Sequence, residues 1–187
     1  MGMGRRVPLS APYLKEIKMI PLAFETKFLQ LKAPQADAFA GNVVVGPVVL
    51  ANFGDPTFLI NLGVGTSGRS KIQAFAYDDV VGTNKAAIGC WARTGTGQDP
   101  DKEGLMVRYN SGVDLNPAAA NFQSTQIVVQ VSKAEAVAAL NSARAVALHF
   151  NEYVDAAVVG SVTAIMPCEV SRSVQLNGLV SGIAAYG

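Results

Sequence analysis

Gly63-Val64-Gly65-Thr66-Ser67-Gly68 has the spacing GxGxxG behind an apolar run, the arrangement in which a tight turn brings backbone amides to a pyrophosphate. The context does not continue the pattern. Arg69 to Tyr77 reads as a strand where a phosphate-binding helix is required, and Asp78 and Asp79 arrive about ten residues on instead of the roughly twenty that ribose recognition needs. A glycine-rich hairpin loop is the expectation, with Arg69 and Lys71 flanking it and no aromatic interleaving for base stacking.

Asp99, Asp101 and Glu103 alternate before Gly104, as the first half of a calcium loop does. The twelfth position is Asn110 where a bidentate Glu belongs, and Pro100 and Lys102 intrude, so these three are an incomplete candidate metal site and a solvated acidic loop is expected. His149 is the single histidine and the only histidine base for a Ser-His-Asp or Cys-His mechanism. It falls at the end of a predicted helix, where its cation would suit the helix dipole. No GxSxG nucleophile motif accompanies it. Cys90 stands in an apolar setting beside Trp91 and reads as an inert thiol, and Cys168 is too distant from it to suggest metal spacing. The acidic pairs Asp78-Asp79 and Glu152 with Asp155 read as turn carboxylates. No catalytic residue and no cofactor follow from these stretches.

The elements that must position these residues are mostly strands. Apolar residues make up 50% of the 187 residues and charged ones 16%, below the roughly 25% of ordinary soluble chains. Ala, Val and Gly supply much of this content, which suits strands and tight turns. Strands are expected over 24–32, 42–53, 57–62, 71–77, 86–93, 105–110, 125–131, 157–166 and 170–176. Gly46-Pro47 interrupts the second of these, marking a bulged edge strand or two short ones. Ser132-Lys133-Ala134-Glu135 spells a capping box, and the helix formers after it predict one long helix near 133–149. The expected fold class is thus mainly β with one long helix (α+β), an antiparallel β-sandwich or barrel of about eight short strands. Residues 1–22 read as an extended N-terminal arm and 23–187 as a single β-rich domain.

Arg5, Arg6, Lys15, Lys18, Lys27 and Lys32 face only Glu16 and Glu25 in the first 32 residues, a balance of +4, while the rest of the chain carries −3. Such an arm suits a neighbouring subunit, through Val7, Leu9 and Leu14, or weak non-specific nucleic-acid contact through Arg5 and Arg6. No stretch has the length of a membrane span, and the N-terminus lacks the apolar core of a signal peptide.

Short Val/Ala/Gly-rich strands, sparse charge, a lone helix and a basic arm together resemble the texture of virus and phage structural proteins. That resemblance implies a self-assembling subunit without enzymatic activity, a coat, decoration or tail protein, whose partners are its own copies and other particle proteins. Its location would be the virion, or the cytoplasm if the chain is not viral. The alternatives are a non-catalytic small-molecule or glycan-binding β domain and, after it, a hydrolase using His149.

Overall fold

The computed structural model describes residues 26–65, 69–94, 105–115, 125–154 and 158–168. The strands are β1 (Thr26–Gln35), β2 (Asn42–Val49), β3 (Thr57–Gly65), β4 (Arg69–Tyr77), β5 (Lys85–Ile88), β6 (Cys90–Thr94), β7 (Val107–Tyr109), β8 (Val113–Leu115), β9 (Gln126–Gln130), β10 (Ala145–Val154) and β11 (Val158–Pro167). One short helix, α1 (Lys133–Ala139), lies between β9 and β10. The chain is mainly β, in two antiparallel sheets.

One sheet has six strands in the order β1-β11-β3-β9-β6-β7; the other runs β2-β10-β4-β5, with β8 also on β4. Neither closes on itself among the described residues, so the barrel expectation is not met. The pairings nest: β1 meets β11, β2 meets β10, β3 meets β9 and β4 meets β8. The chain therefore follows a long antiparallel ribbon folded back on itself, with β6 and β7 added at one edge.

Period-two burial explains why both sheets share one core. Phe58, Ile60 and Leu62 on β3, Ile127 and Val129 on β9, and Val162, Ala164 and Met166 on β11 are buried from the six-stranded side. Val45 and Val48 on β2, Ile72 and Ala74 on β4, and Val146, Leu148 and Phe150 on β10 belong to the same cluster from the other side. A strand's side chains alternate between faces, so each of these elements gives one face to the core.

β2 is an edge strand with a register shift opposite Val146 and Leu148, as the Gly46-Pro47 interruption predicted. The predicted strand over 86–93 is instead two strands in different sheets. Only Gly89 separates β5 from β6, and a Cβ there would stand 2.5 Å from the Arg108 guanidinium. The chain turns the corner between sheets where it carries no side chain.

The long helix is overturned. α1 has seven residues and the chain is a strand again from Ala145. Helix propensity of Ala and Leu loses here to burial: Val146, Leu148 and Phe150 enter the main core while Ala145 and Ala147 are buried on the opposite face. The capping box is also not formed. Ser132 makes no side-chain cap bond, and Glu135 pairs with Arg108. The cap comes from Asp55, whose Oδ1 accepts the Lys133 N–H at 2.8 Å, a contact no local motif encodes.

Candidate functional site

Two outward faces collect the chemistry of this fold. On the five-stranded sheet, β10 and β4 run in register so that His149 lies opposite Gln73, and Tyr77 opposite Ala145. His149 is buried on this strand, not at a helix end as the sequence suggested. Its Nε2 hydrogen-bonds the Tyr77 hydroxyl, and its ring packs on Phe75 with centroids 4.2 Å apart. Lys85 Nζ sits 5.2 Å from the Phe75 ring centroid.

Burial lowers the His149 pKa, with the Lys85 charge adding to it, while burial raises that of Tyr77. At neutral pH the imidazole is therefore uncharged and the phenol keeps its proton, which it can donate to Nε2. This is a packed polar contact within a small second core of Tyr77, Ala145 and Ala147. Because the folded state resists protonation, stability is full above the ordinary histidine value of 6.5 and falls as pH drops through it. His149 is the one histidine in the chain, so His149→Gln should flatten the stability profile between about pH 8 and 5, as read by chemical denaturation. A wild-type profile already flat there would contradict the placement.

The other candidate residues are scattered. Cys90 is buried and free, its thiol pushed up to about 11 by desolvation, which suits the inert role expected of it. Cys168 is half-buried and free. Asp79 accepts the N–H groups of Val81, Gly82 and Thr83, at 2.7 Å from Gly82, and these bonds hold its pKa below the usual carboxylate value. It is a turn carboxylate. Glu152 accepts the Gly41 N–H at 2.6 Å, tying the β1–β2 connection to β10. Gly63 and Gly65 end β3, and the next described element is the strand β4 in the other sheet, so neither a hairpin nor a phosphate-binding helix start is built there. Arg69 and Lys71 lie on β4, with Lys71 opposite Asp114 and Asn151. Asp99, Asp101, Glu103, Asp155 and the arm residues Arg5, Arg6, Val7, Leu9 and Leu14 lie outside the described residues.

The second face is the outer side of the six-stranded sheet. The registers align Phe28 with Ile165, Ile165 with Thr57, Thr57 with Gln130 and Gln130 with Trp91. The next row runs Gln30, Thr163, Leu59, Val128 and Arg93. A third joins Ser161, Asn61 and Gln126, with Gln126 Nε2 donating to Asn61 Oδ1 at 3.0 Å. Phe28 is 52% exposed and Trp91 41%, while Ile165, Leu59 and Val128 are half-buried between their neighbours. Across β1, β11, β3 and β9 these outward positions carry no charge.

Sequence reasoning missed this face. Its signal is every second residue of four strands, Phe28/Gln30, Thr57/Leu59/Asn61, Gln126/Val128/Gln130 and Ser161/Thr163/Ile165, read together. At the β6 end the Arg108 guanidinium covers Trp91 at 5.8 Å and pairs with Glu135 on α1, closing the row with charge.

No protein-family model matches this chain, and no curated protein is detectably similar to it.

Proposed function

We propose that the two sheets form a jelly-roll β-sandwich and that the chain is a structural subunit of a virus or phage particle, a coat, decoration or tail protein acting by self-association. The observation that carries this reading is the nested pairing of β1 with β11, β2 with β10, β3 with β9 and β4 with β8, distributed over two sheets. Jelly rolls of two Greek keys recur in viral capsid proteins, and also in lectins and cupins, so the fold alone does not select among them.

The side chains favour assembly. Titratable groups of the core region are spent on packing: His149 against Tyr77 and Phe75, Cys90 as a desolvated thiol. Among the described residues large apolar side chains stand in solvent at several separate places, including Val81 at 84% and Leu105 at 88% exposed. With 16% charged residues, repulsion between copies is low. Copies of the chain and other particle proteins are then its partners, and the virion its location.

Size-exclusion chromatography with light scattering tests this reading. The expected result is a mass above that of the 19.5 kDa chain that rises with concentration. A concentration-independent monomer would reject it.

A further inference from the structure

We propose that His149 and Lys85, on either side of the Phe75 ring, form an acid-operated latch that frees β5 and the β4–β5 turn from β4. The latch belongs to the single chain and stands independently of self-association.

The strand order places its parts. β4 lies between β10 and β5, so Phe75 receives the imidazole from one neighbour and the Lys85 ammonium from the other. Tyr77, two residues on, bonds His149 through its hydroxyl and carries the turn on its ring: a Cβ on Gly82 would stand 3.0 Å from Tyr77 Cε1. One buried histidine thereby supports both residues on which β5 and its turn rest.

Charge decides what acid does there. While the imidazole is neutral, Lys85 is the one cation on the Phe75 ring. Protonation sets a second cation against the same ring, in a buried position. The groups facing His149 do not compensate it: β4 offers Gln73, Phe75 and Tyr77, β2 offers Val44, and β5 offers Lys85. The acids of the adjoining segments are engaged elsewhere. Asp79 accepts the N–H groups of its own turn, Asp78 accepts the Asn84 N–H at 3.3 Å, and Glu152 accepts that of Gly41. One row along the sheet, Lys71 and Asp114 are register partners. Arg144, ahead of β10, meets the Tyr77 carbonyl through its backbone N–H at 2.8 Å, and α1 gives Ala136 to the main core.

β5 is the element that yields. It is a four-residue edge strand, whereas β4 is joined to β10 along its whole length. Its release bares the β4 edge from Ala74 to Tyr77 and the buried Ile88. Burial keeps the closed-state imidazole neutral, and in the freed state histidine returns to its ordinary value of 6.5. Acid therefore favours opening, by roughly ten- to thirtyfold between about pH 7.5 and 5.

Hydrogen–deuterium exchange of the full chain at those two pH values, corrected for intrinsic exchange chemistry, reads the opening of residues 78–88. The β5 amides should open at a lower free energy than whole-chain unfolding in urea at the same pH, with an opening constant that rises roughly ten- to thirtyfold on acidification. His149→Gln removes the proton-binding group and should hold the constant steady. Lys85→Met, an exposed position that leaves the histidine in place, should cut the rise about threefold or more. An opening constant indifferent to pH, or β5 amides that exchange only when the whole chain unfolds, would overturn the latch. So would a rise of the same size in His149→Gln or in Lys85→Met. The wild-type and Lys85→Met arms decide the matter even where His149→Gln does not fold.

Discussion

Replacing Phe150 with alanine should lower the unfolding free energy by about 3–5 kcal/mol, among the larger effects available to a single core truncation in this fold. Phe150 is completely buried in β10, the strand between β2 and β4, and its ring stacks on that of Phe39 with centroids 4.2 Å apart and planes 12° apart. Phe39 belongs to the turn that carries the chain from β1 in one sheet to β2 in the other. The pair thus joins the two sheets at one end of the core. Truncating one member removes its own transfer energy and leaves the other facing a cavity. Urea unfolding monitored by circular dichroism reads the loss, and a change under about 1 kcal/mol would mean that β10 is not placed as described.

Filling space at the same point should also be harmful, though less so. A Cβ on Gly160 would lie 2.6 Å from Cε2 of Phe39 and 3.3 Å from Cβ of Ala38. The Phe39 ring cannot swing aside freely, because Phe150 holds its far face. Gly160→Ala is therefore expected to cost about 1–3 kcal/mol through overpacking. Phe39→Leu in the same chain removes the ring edge, so the double variant should lose less stability than the sum of the two single changes. Simple additivity, measured by the same unfolding experiment, would contradict the contact between Gly160 and Phe39.

Much of the strand plan was legible because it depends on local alternation and turn residues. Lys71-Ile72-Gln73-Ala74 alternates, Thr57 to Leu62 and Gln126 to Gln130 are short apolar runs of strand length, and Gly46-Pro47 marks an edge. Ala145 to His149, the first half of β10, was misread as helix because Ala and Leu favour a helix locally, and the Asn141-Ser142 turn before it was passed over. Its period-two run of Val146, Leu148 and Phe150 was present, but only two flanking strands make a strand there worthwhile. The division at Gly89 was invisible for a similar reason: which sheet a strand joins depends on partners distant in sequence. β8 has three residues and escaped notice for its shortness.

The site was less legible than the fold. His149 could be singled out as the only histidine, yet its environment depends on β4 bringing Tyr77 and Phe75 beside it from more than seventy residues away. The outer face is a product of register. Phe28, Ile165, Thr57, Gln130 and Trp91 come from five strands, and no window of sequence contains more than one or two of them.

Sedimentation equilibrium of the unmodified full chain, across a concentration series at neutral pH, tests the central claim of self-association most directly. The account predicts a weight-average mass that climbs above 19.5 kDa as concentration rises. A mass that stays at the single-chain value throughout would contradict the account.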